Sequence, residues 1–409
     1  MRNHTLAAVM ALILVACNNG EDAQATQNAA NDVQSLANSA LSDRESFEKT
    51  TIATLDEPWA MTFLPDGRML VTEKKGRLLL VTQKGKKTPV AGIPEVDYGG
   101  QGGLGDIVLA PDFAASGYIY LSWAEAGEGD TRGAVVARAK LSLPAAGANA
   151  DDAKANAPKI SDLETIWTQK PKVTGRGHYS HRMVFSPDGK YLFIGSGDRQ
   201  KFDPAQDMSS NLGKIVRLFP DGTVPQNNPF VGMKDALPEI WTLGHRNILG
   251  LAFDSKGRLW NQEMGPKAGD ELNLVQRGNN YGYPVVSEGD HYDGKKIPRH
   301  ETHPEFAAPK VSWDPTIAPS GLIFYSGNLF PSWKGSAFIG GLASETIIRV
   351  AFDGEKAMEA ERLPMGKRIR EIEQGPDGAL WVLEDGKDAR MLRLAPPISK
   401  EPVVAEPPQ

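Results

Sequence analysis

The chain of 409 residues has one cysteine, no surplus of basic residues and an apolar stretch of only eleven residues near its start. A single cysteine excludes an intramolecular disulfide. The net charge of −6 argues against a nucleic-acid partner, which requires a concentrated basic surface. The apolar stretch, residues 6–16, is too short to span a bilayer comfortably. With 409 residues, 40% of them hydrophobic, the chain is long enough to bury a sizeable core.

The short apolar stretch fits the hydrophobic region of a secretory signal, and the only cysteine ends it. "LVAC" (14–17) resembles a bacterial lipobox, in which cleavage leaves the cysteine as a lipid-modified N-terminus. We therefore predict a lipoprotein signal over residues 1–17, lipidation of Cys17 and a periplasmic location. Asn18 after the cysteine favours the outer membrane over the inner one. The alternative is an ordinary signal peptide in which Cys17 is incidental.

Composition separates two end segments from the rest of the chain. Residues 18–48 are rich in Asn, Ala, Gln, Ser and Asp, which predicts a flexible tether. Residues 397–409 are Pro-rich and are predicted to be an irregular tail. The intervening residues, 49–396, form the predicted catalytic domain.

One hairpin pattern recurs through that domain. "FLPDGRMLVTEKKGRLLLV" (63–81), "FSPDGKYLFIGSGD" (185–198) and "QGPDGALWVLED" (374–385) each have an apolar residue, a tight turn and an alternating apolar strand. Related units begin near residues 109, 253 and 329. Six units of fewer than about 60 residues each favour an all-β fold, a six-bladed β-propeller of four-stranded antiparallel sheets. A large β-sandwich is the alternative.

Polar residues precede several of these units, where propeller loops would gather around the central channel. They are Gln101 in "YGGQGGLGD", His178 in "GRGHYSHR", His245, Arg246 and Asn247 in "GHRN", and Arg368 and Arg370 in "GKRIR". Guanidinium groups suit a flat anion with several carboxylates. A neutral imidazole suits proton abstraction near pH 7. The combination predicts an anionic cofactor and a substrate hydroxyl.

Two further patterns raise the question of a metal ion. "EMGPKAGDELNLVQRGNNYGYP" (263–284) has a Gly-Pro turn followed by two acidic residues, a composition that suits Ca²⁺ although it is no EF-hand. A merely solvated acidic loop is the alternative. The pairs His178/His181 and His300/His303 have zinc-like spacing, but they lack cysteines and the Glu of a zinc-protease motif. Zinc is therefore not predicted.

Taken together, these motifs resemble the soluble aldose (glucose/sorbosone) dehydrogenases that depend on pyrroloquinoline quinone (PQQ), a family of six-bladed propellers. The likeness covers about residues 50–395 and rests on several motifs in the same order. In that family a "GH-x-x-x-R" segment carries the catalytic base, which matches His178 and Arg182. The cofactors implied are PQQ and Ca²⁺.

The resemblance also implies roles for the other motif residues. It places cofactor contacts at Gln101, Arg246, Asn247, Thr316, Arg368 and Arg370; carbonyl ligands of a cofactor-bridging Ca²⁺ at Gly265 and Pro266; a structural Ca²⁺ at Glu271 and Tyr281; and substrate contacts at Gln101 and Arg199. Trp313 walls the substrate site or belongs to the core, and sequence leaves both possibilities open.

The implied reaction is oxidation of an aldose sugar at C1 to the lactone. His178 would take the proton of the anomeric hydroxyl while the hydride passes to the quinone, and Arg246 would stabilise the developing charge. Electrons would then pass to an acceptor that the sequence does not identify.

Four positions depart from the glucose-oxidising branch of the family. Ala343 stands in place of a cofactor-binding Lys, and Gly177 in place of an Asp, so that the base has no evident carboxylate partner. Arg199 replaces a substrate-contacting Gln, and His181 replaces a small residue and would narrow the pocket. These changes favour the broader aldose branch over strict glucose specificity.

Two other functions compete with this one. A Ca²⁺-dependent lactonase propeller would line its channel with acidic and Asn ligands, whereas this channel is predicted to be rich in arginine. A non-catalytic, lipid-anchored binding propeller would need no base at His178.

Overall fold

The computed structural model describes residues 45–147 and 156–397, so Cys17 and nearly all of the predicted tether and tail lie outside the described residues. The described chain is all-β, with 24 strands in six four-stranded antiparallel sheets. The prediction of a six-bladed β-propeller is thus confirmed. Among the described residues, no helix has the length and apolar character needed to cross a membrane.

Five blades are built from four consecutive strands, and the sixth combines the two ends of the domain. Blade 1 contains β2 (Pro58–Phe63), β3 (Met69–Glu73), β4 (Arg77–Val81) and β5 (Lys87–Val90). Blade 2 contains β6 (Leu104–Leu109), β7 (Tyr118–Ala126), β8 (Arg132–Ser142) and β9 (Lys159–Thr168). Blade 3 contains β10 (Ser180–Phe185), β11 (Leu192–Ser196), β12 (Lys214–Leu218) and β13 (Ile240–Leu243). Blade 4 contains β14 (Ile248–Phe253), β15 (Leu259–Glu263), β16 (Asp270–Val275) and β17 (Val311–Trp313). Blade 5 contains β18 (Pro319–Phe324), β19 (Ala337–Gly341), β20 (Thr346–Asp353) and β21 (Lys356–Pro364). Blade 6 contains β22 (Ile369–Gln374), β23 (Leu380–Glu384), β24 (Ala389–Ala395) and β1 (Glu48–Leu55).

The ring is closed by the first strand of the chain. β1 pairs antiparallel with β24, so that Glu48 lies opposite Ala395 and Leu55 opposite Ala389. The first strands of neighbouring blades, from β2 to β22 and back to β2, contact one another around the channel. Closure leaves only short outer edges exposed, which protects the sheets from pairing with other chains.

The core is divided among the interfaces between blades. Each of the six interfaces holds one cluster of buried apolar side chains, such as that of Trp59 and Leu70 in blade 1 with Leu121 and Val135 in blade 2. Removing one such side chain from water contributes about 1.5–3 kcal/mol. Packing between blades therefore fixes the ring, and the ring fixes the loops at its two ends.

The recurring Pro-Asp-Gly turns lie at one end of the channel, where the first strand of a blade connects to the second. Their glycines, Gly67, Gly189 and Gly378, have left-handed backbones with φ of 81°, 71° and 83°. The preceding aspartates accept hydrogen bonds from backbone N–H groups two residues further on. In blade 2 the predicted tight turn is a single-turn helix, α1 (Phe113–Ser116), which ends at the left-handed Gly117. Short 3₁₀ turns cover Asp203–Ala205, His300–Thr302 and Pro331–Trp333.

Candidate active site

The predicted site segments meet at the end of the channel opposite the Pro-Asp-Gly turns. Residues 98–103, 175–179, 244–247 and 366–368 each lead into the first strand of a blade. The turns at 74–76 and 264–269 join second and third strands, which in an antiparallel blade places them at this same end. Loops that are far apart in sequence are thereby brought together.

His178 is held by a backbone contact and by a buried carboxylate. Its N–H donates to Gln101 Oε1 at 2.7 Å, and its Nδ1 lies 2.6 Å from Asp198 Oδ1. Asp198 is fully buried and also accepts hydrogen bonds from the backbone N–H groups of Gln200 and Phe202. Because the carboxylate is the acceptor, Nδ1 carries the proton and Nε2 keeps its lone pair. Nε2 has no hydrogen-bond partner among the described residues.

This geometry corrects the expectation that the base lacks a carboxylate partner. Asp198, two residues after the end of β11, supplies the carboxylate that residue 177 lacks. A Cβ atom at Gly177 would come within 2.5 Å of the Gln200 side chain, so that side chain already fills the space beside residue 177.

The surroundings of His178 keep its imidazole neutral. Burial lowers its pKa below the ordinary value of 6.5. The hydrogen bond to Asp198 acts in the opposite direction, and the positive charge of Arg246 adds to the lowering. The neutral imidazole can therefore accept a proton under mildly acidic as well as neutral conditions.

A cavity of about 410 Å³, here called the channel cavity, opens at this end of the channel. Its charged lining consists of Lys74, Arg368, Arg370, Glu57 and Asp385, and its polar lining includes Gln101 and Asn247. Three cationic against two acidic residues give a formal charge of +1. The arginine pair at the start of the last blade is thus brought together with Gln101 and Asn247, as the motifs predict.

Arg368 and Arg370 both face this cavity and share one carboxylate. Their Nε atoms donate to the two oxygens of Asp385, each at 2.9 Å. Nη2 of Arg368 and Nη1 of Arg370 have no partner in the described part of the chain. The pair therefore retains N–H donors for an anion in the cavity.

Sequence reasoning missed Lys74, in the turn between β3 and β4. Gly103 admits the Lys74 carbonyl so closely that a Cβ atom there would lie 2.1 Å from the oxygen. This contact docks the turn beside the Gln101 loop, and Lys74 Nζ donates to Gly100 O at 2.9 Å. Burial lowers the pKa of Lys74, and Arg370 adds to that effect. Ala343, by contrast, is exposed and does not line the cavity, while its neighbour Leu342 does.

Arg246 and Asn247 stand between two cavities. The Arg246 N–H donates to Glu263 Oε2 at 2.6 Å, and its Nη1 donates to the carbonyls of Met264 and Gly265. Its Nε is buried and has no partner within the described residues. Asn247, fully buried, accepts a hydrogen bond from Ser180 Oγ at 3.2 Å.

A second cavity of about 250 Å³, here called the side cavity, adjoins the first. Its lining includes His178, Gln200, Arg246, Pro266, Tyr283 and Tyr292. The two cavities adjoin at two pairs of consecutive residues. His178 and Arg246 line the side cavity, and their neighbours Tyr179 and Asn247 line the channel cavity. The imidazole thus lines a partly aromatic pocket beside the cationic one.

The structure does not bring two of the predicted substrate residues into either cavity. Arg199 is buried, and its guanidinium donates to the backbone carbonyls of Gly177, Arg132 and Gly175. It therefore secures the His178 loop, and the neighbouring Gln200 lines the side cavity instead. Trp313 belongs to the core between blades 4 and 5, which answers the alternative that sequence left open.

Thr316 also lies behind the cavity wall. Its Oγ1 donates to Asp270 Oδ2 at 2.5 Å, and the same carboxylate oxygen accepts from the N–H groups of Ile317 and Ala318. Ala318, not Thr316, lines the channel cavity. In this structure Thr316 acts by fixing the loop before β18.

The predicted calcium ligands lie beside Arg246. The Gly265 carbonyl accepts a hydrogen bond from Arg246 Nη1 at 2.6 Å. Gly265 and Glu271 line a small cavity of about 10 Å³, together with Glu263 and Ser287. Burial raises the pKa of Glu271 well above its ordinary value, and the nearby Glu263 adds to the rise.

Tyr281 is not brought to that cavity. Its hydroxyl donates to Leu274 O at 2.6 Å, and its carbonyl accepts from His300 Nε2 at 3.0 Å. His300 Nδ1 pairs with Glu288 and His303 pairs with Glu305. Within residues 45–147 and 156–397, no group of three or more His, Cys, Asp or Glu side chains has the arrangement of a metal site.

The comparisons with known proteins agree with this architecture. The model of the glucose/sorbosone dehydrogenase family matches residues 55–393. The aldose sugar dehydrogenase YliI of Escherichia coli is 40% identical over 352 residues, covering 84% of this chain and 91% of the relative.

Solved structures give the same result. The apo-form of the soluble aldose sugar dehydrogenase from Escherichia coli has a TM-score of 0.78 at 37% identity, covering 86% of this chain and all of that one. The PQQ-bound aldose sugar dehydrogenase from Streptomyces coelicolor has a TM-score of 0.69 at 27% identity, covering 86% of this chain and 98% of that one. The prediction that the chain is an oxidoreductase is confirmed. Its fold, its ordered motifs and these matches together show that the chain belongs to the glucose/sorbosone dehydrogenase family.

Proposed function

We propose that this protein oxidises aldose sugars at C1 to the lactone, with PQQ as electron acceptor and His178 as general base. The observation that carries the proposal is the buried His178–Asp198 pair, whose imidazole lines a pocket adjoining a cationic cavity. The names of the relatives, aldose sugar dehydrogenases with one PQQ-bound structure, support the substrate class and the cofactor.

The channel cavity fits a flat tricarboxylate. Arg368 and Arg370 keep unpaired Nη donors, and Lys74 adds a third cationic group to the same lining. Where the side cavity adjoins this one, the buried, unpaired Nε of Arg246 is a further donor that a polar ligand atom would satisfy. Gln101 and Asn247 supply amides between these cations. When bound, PQQ supplies the electron-accepting quinone.

The side cavity suits the sugar. Its aromatic residues Tyr283 and Tyr292 offer faces against which the apolar side of a pyranose ring can pack, and Gln200 offers an amide for hydroxyl groups. His178 Nε2, with its lone pair free, accepts the proton of the anomeric hydroxyl. Asp198 holds the imidazole in that tautomer and stabilises the imidazolium after proton transfer.

Arg246 is the residue that stabilises negative charge between the two cavities. Its backbone is held by Glu263, and its Nη1 is held by two carbonyls, so the guanidinium is fixed before any ligand arrives. A preorganised cation costs little reorganisation as charge develops.

Calcium is part of the proposal at two places. The carbonyls of Gly265 and Pro266 lie in the turn beside Arg246, where a cation would neutralise cofactor carboxylates. The small cavity beside Glu271 has the oxygen donors and the size for one ion, and a cation there would offset the cost of burying Glu271 next to Glu263.

We also propose that the protein is a periplasmic lipoprotein anchored through Cys17, on the strength of its lipobox-like segment. Labelling of the full chain with a fatty-acid analogue tests this. We expect label in the wild type and none in Cys17→Ala; equal labelling of both would contradict the anchor.

The test of the proposed activity is reconstitution. Purified apo-protein is mixed with Ca²⁺ and PQQ, and reduction of an artificial dye is followed with a panel of aldoses, with matched alditols as the control. We expect dye reduction that requires PQQ and the aldose together, and recovery of the lactone. Absence of sugar-dependent dye reduction at saturating PQQ would overturn the proposal.

A further inference from the structure

His181 stands out among the residues that line the channel cavity. It is only 2% exposed, and its backbone is left-handed with φ of 52°, a conformation that non-glycine residues seldom adopt. Its ring stacks on Trp59 with centroids 5.0 Å apart and planes 18° apart. Backbone strain of this kind persists where the surrounding structure enforces it, which is common at functional sites.

On the face opposite Trp59, the His181 ring packs against the backbone of Gly105 in β6. A Cβ atom at Gly105 would lie 1.9 Å from His181 Cε1 and 2.4 Å from Nδ1, so only glycine leaves room for the imidazole. The ring is therefore clamped between the backbone of β6 and the Trp59 indole, and its position is fixed before a ligand binds.

The hydrogen bonds of Ser122 determine the tautomer of His181. Ser122 Oγ accepts from the Asp106 N–H at 2.8 Å and lies 2.8 Å from His181 Nδ1. In the described residues, Nδ1 is the one acceptor recorded for the Ser122 hydroxyl proton. The hydroxyl therefore donates to Nδ1, and the ring proton sits on Nε2.

The second nitrogen is left available. Nε2 has no hydrogen-bond partner in the described part of the chain, although the ring lines the channel cavity. Burial lowers the pKa of His181 to about 3, and the charges of Arg182 and Arg199 add to that effect. The imidazole is thus a neutral N–H donor rather than a titrating cation.

We propose that His181 binds the cofactor through its Nε2–H, as a fixed neutral donor to an oxygen of the anion in the channel cavity. The inference rests on the proposed function, because it takes PQQ as the ligand. His181 would then bind the cofactor as well as narrow the pocket, and it would add a neutral donor to the cationic donors Lys74, Arg368 and Arg370.

The first test is equilibrium binding of PQQ to apo-protein, followed by quenching of tryptophan fluorescence. His181→Phe keeps a flat ring against Trp59 but lacks the donor. His181→Asn can still accept the Ser122 hydroxyl proton but does not reach as far as Nε2. His181→Gln can place an amide N–H near the Nε2 position. Thermal melting of each apo-variant is measured alongside, and His303→Phe, in a histidine that lines neither cavity, is the control.

We expect the Kd for PQQ to rise about tenfold or more in the Phe and Asn variants, because each loses one hydrogen bond to a charged group. The Gln variant should recover much of the affinity. Wild-type affinity in both the Phe and the Asn variant would overturn the inference, whatever their melting temperatures. If wild-type protein itself fails to bind PQQ, the proposed function falls as well, and the two failures are distinguishable.

The second test needs no cofactor. In apo-protein labelled with ¹⁵N-histidine, long-range proton–nitrogen correlation spectra distinguish the two neutral tautomers, and the His181 signals are assigned by their absence from His181→Asn. We expect the Nε2–H tautomer in the wild type. An Nδ1–H tautomer or a protonated ring at neutral pH would contradict the proposal.

Discussion

His178 is positioned by contacts from two blades, and these contacts determine its tautomer as well as its place. Gln101, from the loop before blade 2, binds its backbone, while Asp198, from its own blade, binds Nδ1. The ring is left with one free lone pair. A solvated loop histidine would have neither contact, so the pairing favours the proposed role of base over that of an incidental histidine.

Asp198→Asn should reduce turnover while leaving the cofactor bound. An amide no longer enforces the Nδ1–H tautomer, so we expect kcat to fall roughly 100-fold or more. Asp198 lines neither cavity, so the Kd for PQQ should stay close to that of the wild type. Asp188→Asn, at the opposite end of the channel, is the control. A kcat equal to that of the wild type would exclude Asp198 from positioning the base.

The pH profile should reflect the buried state of His178. A base must be neutral to act, so the rate falls as the pH drops through its pKa. Because burial lowers that pKa, the acid limb of kcat/KM should have its midpoint below pH 6.5. The profile is measured with PQQ saturating at every pH. A midpoint above pH 7 would mean that the free base is not the imidazole described here.

Lys74→Met should weaken PQQ binding. The substitution removes one of the three cations that line the channel cavity while keeping the length of the side chain. We expect the Kd to rise roughly tenfold, an effect of one charge-assisted hydrogen bond. The exposed Lys190, in a turn at the far end of the channel, gives Lys190→Met as the control. Equal affinities in Lys74→Met and the wild type would exclude Lys74 from cofactor binding.

Whether the sequence could predict a site residue depended on the direction in which its side chain points. Arg368 and Arg370 are two apart in and before a strand, and both face the channel cavity as their spacing predicts. Arg199 follows Asp198 directly, and the two side chains diverge, one to three carbonyls and the other to His178. Lys74 was missed because its approach to Gln101 depends on docking of two loops from different blades.

Among the elements, the neighbouring strands β15 and β16 bring two buried carboxylates together. Glu263 and Glu271 lie close enough for each to affect the other, and Asn273 Nδ2 donates to both, at 3.3 and 3.2 Å. Glu263 also accepts hydrogen bonds from His245 Nδ1 and the Arg246 N–H, so it is the burial of Glu271 that is costly unless a cation or a proton offsets it. If the proposed calcium site is occupied, these strands link cation binding to the stability of the loop that holds Arg246.

Chelation should destabilise this element, and Glu271→Gln should reduce the effect. A ligand that binds only the folded state stabilises it by about 2.7 kcal/mol at 100 times its Kd. We expect excess Ca²⁺ to raise the melting temperature of wild-type protein and EDTA to reverse the rise. Glu271→Gln should show a smaller rise, and Glu305→Gln, in a surface pair, should behave as the wild type. A full calcium response in Glu271→Gln would exclude that site.

The elements themselves were predictable because each hairpin carries its own turn chemistry. Gly67, Gly189 and Gly378 occupy left-handed positions that the Pro-Asp-Gly pattern anticipates. The helix Phe113–Ser116 was not anticipated, because the glycine of that unit comes four residues later and closes a helical turn instead of a hairpin. The pairing of β1 with β24 joins residues more than 300 apart, and no local pattern encodes it.

At the scale of the whole molecule, the closed ring is what makes one site from distant loops. Packing between blades sets the positions of the first strands, and these strands deliver the loops before blades 2, 3, 4 and 6 to one end of the channel. A cationic cavity and a basic imidazole are thereby placed side by side without any local sequence that contains both. The resemblance to a known family was needed to propose PQQ, since charge alone indicates only a flat anion.

The central claim is that His178 supplies the base while other residues hold the cofactor, and a single-turnover experiment tests it most directly. Protein loaded with PQQ and Ca²⁺ is mixed anaerobically with an aldose, and the absorbance of the quinone is followed in the wild type and in His178→Ala, with the Kd for PQQ measured for both. We predict rapid bleaching in the wild type, slowing by roughly 100- to 10,000-fold in the variant, and similar Kd values. Bleaching at the same rate in both proteins would contradict the account.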